Sequence, residues 1–155
     1  MRGDSVRSLA SLLLVVLPGG CGFREGTEPS HAKAAPVRVE RARARVTPAQ
    51  VGAVYFSLVN GTPQADRLLS AESPDATRVE LHEVVAREDV LSMVAHPEGF
   101  PIPAEGRVEL VPGGKHLMLY NVQASGSGIN LLLRFEKAGP VRLNVPLLAA
   151  DEDGR

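Results

Sequence analysis

From Pro36 onward the sequence is cut into short apolar pieces by turn residues, and no piece carries a helical period. VRVERARA alternates over 37–44 and VGAVYFSLVN runs over 51–60, closed by the turn Gly61-Thr62-Pro63. DRLLSAES, TRVELHEVV at 77–85 and VLSMVA at 90–95 follow, then a loop broken by Pro97, Pro101 and Pro103. RVELV and KHLMLYNV flank Pro112-Gly113-Gly114, and INLLLRFEKAG and PVRLNVPLL close the series. In a strand successive side chains face opposite ways, so a period of two between turns is the mark of half-buried strands. Eight or nine such pieces predict a single all-β domain, an antiparallel sandwich or barrel. A span of about 115 residues suffices to bury a two-sheet core.

What precedes the strands is of another kind. MRGDSVRSLASLLLVVLPGGCGF has a weakly basic start and an apolar run from Leu9 to Leu17. That run is well short of the ~20 residues needed to span a bilayer, and suits a signal peptide over 1–21. Cys21, the chain's single cysteine, resembles the lipid-modified cysteine of a bacterial lipoprotein signal. Residues 22–35 read as a flexible tether, where His31 is expected to be solvated and inert. The β-domain is expected over 36–149 and a short polar tail over 150–155. An exported, extracytoplasmic chain is expected, with Cys21 either the lipid anchor that the resemblance implies or a leftover thiol near the cleavage site.

Seventeen basic and eighteen acidic residues leave a net charge of −1, without the basic stripe that phosphate backbones require. There is no Trp, and bases find no stacking platform. The domain holds no cysteine, which excludes disulfides, thiol nucleophiles, Cys-type zinc sites and blue-copper centres. No paired carboxylates can be placed for acid–base work, and an enzyme is not expected.

The methionines are the informative residues. Apart from Met1 there are two, Met93 and Met118, and each has a histidine partner, His82 and His116. A hairpin turning at Arg87-Glu88 would set His82 directly opposite Met93, with β-carbons ~5 Å apart. In KHLMLYN, His116 and Met118 share one face while Leu117 and Leu119 take the other, core-facing one. Nothing in the spacing joins the two pairs. Two imidazoles and two thioethers would form a soft, neutral site suited to Cu(I), and thioethers survive an oxidising compartment that oxidises thiols. Each residue alone is equally at home as core filler or a hydrogen-bonded histidine. From the pattern by itself, metal binding and plain packing both stand.

The set His82, ten residues, Met93, a longer gap, then His116-x-Met118 resembles the signature of the PCu(A)C family of periplasmic copper chaperones. Three further stretches, GAVYFSLVNGTPQADRLLSAESPDATRVELHE, IPAEGRVELVPGGKHLMLYNV and LRFEKAGPVRLNVPL, extend the likeness over roughly 39–147. The resemblance implies a cupredoxin-like Greek-key sandwich in which these four side chains bind one Cu(I). It also implies delivery of copper to the CuA centre of cytochrome c oxidase subunit II, alongside Sco-like proteins. The chain departs from that pattern in three places. The gap between Met93 and His116 holds twenty-two residues, one more than the family pattern, placed in AHPEGFPIP. RARAR at 41–45 stands where an aromatic residue is common, and DEDGR lacks the His and Met of longer copper-binding tails. His96, close to Met93, is an auxiliary ligand or an exposed loop histidine. Two other functions fit the same residues: a copper buffer without a dedicated recipient, and a metal-free surface interaction domain.

Overall fold

The computed structural model describes residues 36–87, 90–124 and 126–148. The signal peptide and tether expected over 1–35, and the tail over 150–155, lie outside them. The strands are β1 Val37–Val46, β2 Gly52–Asn60, β3 Asp66–Glu72, β4 Arg78–Arg87 and β5 Val90–Ala95. They continue as β6 Phe100–Ile102, β7 Arg107–Leu110, β8 Lys115–Tyr120, β9 Gly128–Phe135 and β10 Pro140–Pro146. One sheet runs β1-β2-β8-β4-β5, with β7 also paired to β2, and the other runs β10-β9-β3-β6. All ten strands pair antiparallel within their sheets, and the chain passes repeatedly from one sheet to the other, as the alternation predicts for a sandwich.

Alternation decides which side chains meet between the sheets. Leu117 and Leu119 of β8, Val54 and Leu58 of β2, and Ile129 and Leu133 of β9 are all fully buried. Burying a leucine side chain contributes ~1.5–3 kcal/mol, so this apolar layer is what holds the two sheets together. In β8 the alternate residues His116 and Met118 are carried to the outer face of the larger sheet.

The sequence reading missed two features. The first is β6, read as part of a proline-broken loop. Phe100 and Ile102 are both fully buried and pair with Leu68 and Asp66. Pro101 is tolerated because β6 lies at a sheet edge, where a missing N–H disturbs no ladder. The turn into it needs Gly99, whose φ is +82° and whose added Cβ would lie 2.2 Å from the Leu68 carbonyl oxygen.

The second is a bulge in β1. The register against β2 shifts between Glu40 and Arg43, and Arg41 takes a left-handed φ of 54°. Strict alternation would put Val37 and Val39 on one face with Arg41 and Arg43. The extra residue resets the phase, so that Val37 and Ala44 are both buried. Ala42 packs on the core as well. The arginines of RARAR are thereby turned outward.

Strand β2 is shared end to end by two partners. Gly52–Val54 pair with β8 and Phe56–Val59 with β7. The turn between β7 and β8 is closed by Gly114 N–H to the Val111 carbonyl at 3.0 Å, with Gly113 at φ +75°. It sets the Gly114 carbonyl beside the first residues of β8.

Candidate metal centre

The hairpin β4–β5 does not have the register expected from sequence. His82 pairs with Ala95, and Met93 pairs with Val84. The pairing runs on to Arg87 opposite Val90, so Arg87 is a strand residue and not part of the turn. The difference is two residues, an even slip, which keeps every side chain on its face. Met93 is therefore a diagonal neighbour of His82, ~7–8 Å away, instead of its direct partner.

The fold also supplies the adjacency that spacing left open. β4 and β8 are neighbours, and His82 stands directly opposite His116. Their ring centroids are 6.0 Å apart, edge to face. Both rings are buried, at 8% and 4% exposure. Met118 pairs with Glu80 on the same face and is half-buried. Met93, on edge strand β5, is 52% exposed. All four side chains thus share one face of three adjacent strands. The two histidines are brought together with Met118 beside them; Met93 stands off at the far corner.

Each ring is oriented by a partner. His116 Nδ1 lies 3.0 Å from the Gly114 carbonyl oxygen, which can only accept, so Nδ1 carries the proton and Nε2 the lone pair. His82 Nε2 lies 3.1 Å from Glu80 Oε2, which leaves its lone pair on Nδ1. That Nδ1 is buried and has no hydrogen-bond partner. A buried polar atom without a partner is costly unless something else occupies it. Hence the pair presents unlike nitrogens, Nδ1 from His82 and Nε2 from His116.

Around the rings, Arg78 lies over the Tyr120 ring at 4.1 Å and reaches Glu80 at 3.5 Å. Burial, and then the hydrogen bond with Glu80, push the Tyr120 phenol up from its ordinary value. Tyr55, whose ring is 6.3 Å from His116, is also pushed up by burial, against the opposing charges of Arg45 and Arg43. Both tyrosines stay protonated at neutral pH and add no charge to the site.

His96 belongs elsewhere. It falls on the other parity of β5, so its ring lies against the opposite side of the sheet, 5.3 Å from Phe100. Its Nδ1 contacts Glu98 at 2.8 Å, and its Nε2 is 3.1 Å from Glu83, off the hydrogen-bond direction. With a side chain 23% exposed, it is neither an auxiliary ligand nor a solvated loop histidine. The signal was parity: Met93 and His96 are three apart, an odd number. Among the described residues no three His, Cys, Asp or Glu side chains gather into a metal cage. The sulfur donors on this face are the thioethers of Met93 and Met118, a ligand type that favours soft metals such as Cu(I).

Comparison with known proteins places the chain and its fold. The LpqE-like family, described as "Putative lipoprotein LpqE-like", matches residues 37–147. The chain belongs to the LpqE-like family. A "Putative lipoprotein Lxx21020" from Leifsonia xyli subsp. xyli is 29% identical over 114 residues, spanning 72% of this chain and 69% of the relative. Among solved structures, the copper-bound PCuAC domain from PmoF2 superposes with a TM-score of 0.61 at 24% identity, covering 74% of this chain and 93% of that one. The Cu(I) form of DR1885 from Deinococcus radiodurans gives 0.53 at 26% identity, covering 75% and 82%. The LpqE-like chain has the PCuAC fold, and the resemblance read from its motifs holds.

Proposed function

We propose that this LpqE-like protein is an extracytoplasmic Cu(I) carrier, held to the membrane by a lipid on Cys21. His82 Nδ1, His116 Nε2 and the Met118 thioether are the principal ligands, and Met93 becomes the fourth when β5 slides two residues along β4. The observation that carries this reading is the opposed histidine pair, with its buried, unpartnered nitrogen and both thioethers on the same face. The donors suit the cargo: thioether and neutral imidazole need no deprotonation, so copper is taken and released without a large pH term. The relatives support it, since the PmoF2 domain and DR1885 were solved with copper bound.

The shallow setting suits transfer. An incoming ligand can reach Met93 from solvent and displace it before the buried nitrogens let go. The acceptor in this reading is the CuA centre of cytochrome c oxidase subunit II, directly or through a Sco-like protein. Titration of the purified chain with Cu(I) against a chromogenic chelator is expected to show one tight equivalent. Retention of that affinity by a variant lacking all four residues would overturn the site. Deleting the gene under low copper is expected to lower oxidase activity, whereas a pure buffer leaves it unchanged.

A further inference from the structure

The arginines of β1 take no part in the site, yet they adjoin it. Arg43 is paired with Tyr55, and its guanidinium lies 5.9 Å from the Tyr55 ring centroid. Tyr55 in turn is 6.3 Å from the His116 ring, and His116 is opposite His82. One transverse row on the outer face therefore reads Arg43, Tyr55, His116, His82. Beside it, Arg41 donates to Ser57 Oγ at 2.6 Å and to Glu109 at 3.0 Å. Arg107 holds Glu109 at 3.6 Å and Glu40 at 3.7 Å, and Arg38 holds Glu40 at 3.7 Å. Four arginines against two glutamates leave this flank at +2, in a chain whose net charge is −1. Arg41, Arg43, Arg107 and Glu109 line an open cleft of about 380 Å³. The ion pairs of Arg38 and Arg107 are long, that of Arg41 with Glu109 is short, and all are more than a third exposed, so solvent screening weakens them and lets the guanidiniums exchange partners.

We propose that this basic flank, Arg41, Arg43 and Arg107, is the docking surface for an acidic protein partner, which when seated also covers the His82–His116 pair. The proposal rests on the carrier reading. Arg43 and His82 are three strand spacings apart, about 14 Å. An ordinary protein interface buries ~800 Å² per side, wide enough to span both. Carboxylates on the partner would displace Glu109 and Glu40 from the guanidiniums, and bidentate pairing with arginine fixes orientation as well as attraction. A protein fits better than an anionic lipid surface, because transfer needs incoming ligand atoms over the histidines, which headgroups do not bring.

The test is read on the metal-free full chain by amide NMR. A blocked hexaglutamate peptide is titrated in at low and at physiological salt. Shifts centred on Arg43, Tyr55 and Ser57, weakening with salt, are expected. Arg43→Gln with Arg107→Gln should weaken binding at least roughly fivefold, and Arg43→Lys with Arg107→Lys should largely retain it, all at unchanged melting temperature. The Cu(I) affinity of the Gln variant should equal that of the parent. Shifts scattered over both sheets, or no loss on the double Gln change, overturn the docking surface. So does binding to phosphatidylcholine vesicles carrying one-third phosphatidylglycerol, lost in the same variant, with no response to the peptide. Failure of the chain to bind Cu(I), with the peptide still seated on the arginines, overturns the carrier reading and leaves the docking surface standing.

Discussion

Replacing the two methionines one at a time should have unequal effects. Met93 stands opposite Val84 and Met118 opposite Glu80, four residues apart along β4 and two strands apart across it. At ~3.3 Å per residue and ~4.8 Å per strand, their α-carbons are about 16 Å apart. A methionine side chain reaches roughly 4 Å to its sulfur. Adding a metal–sulfur bond of ~2.3 Å on each side, two thioethers and one ion span about 13 Å. The gap is about 3 Å too wide, so both sulfurs cannot hold one ion in this register. Sliding β5 by two residues puts Met93 opposite His82 and closes the gap to about 12 Å. That slide opens the Arg87–Val90 pair and frees His96 N–H from the Leu81 carbonyl, now at 2.8 Å. Two hydrogen bonds at ~1 kcal/mol each cost about 2 kcal/mol, a factor of about 30 in affinity. Met118→Ala is therefore expected to weaken Cu(I) binding about 30-fold more than Met93→Ala in chelator competition. Equal losses, or a larger loss for Met93→Ala, would refute the reach argument and with it the fourth-ligand role of an edge-strand thioether.

Glu80→Ala is expected to lower Cu(I) affinity 10–100-fold, the usual effect of removing a carboxylate that orients a ligating histidine, and nitrogen NMR should show His82 losing its single tautomer. Leu117→Ala, in a site of 0% exposure, should cost about 2–5 kcal/mol in urea unfolding while the strand content persists. The Glu109 carboxyl is held below its ordinary 4.5, first by the hydrogen bond from Ser57 and then by Arg41 and Arg107. A depressed carboxylate contributes stability above its unfolded value, lost as pH falls through the folded one. Ser57→Ala should move the Glu109 carbon titration upward toward 4.5, and no movement would show that the hydroxyl is not the cause.

Much of the molecule could be read from alternation and turns. The all-β class, the Pro112-Gly113-Gly114 turn and the outward face of His116 and Met118 follow from a period of two with the leucines taking the core. The change of phase at Arg41 was also present in RARAR, since the apolar positions move from odd to even there. Phe100 and Ile102 escaped because three prolines nearby outweigh two buried residues in any local reading, and only a sheet edge makes Pro101 harmless.

Side-chain direction along a strand is a local property, set by backbone geometry, and for that reason the sequence alone determined which face each donor takes. Register is different. An even slip of β5 leaves every face unchanged, so the pattern cannot tell His82 opposite Met93 from His82 opposite Ala95. Nor does any spacing announce that β4 lies beside β8, because that pairing joins residues far apart in the chain. Only the packing of two sheets around one core brings His82 against His116, leaves Met93 at the edge and sets the arginines of β1 in the same row.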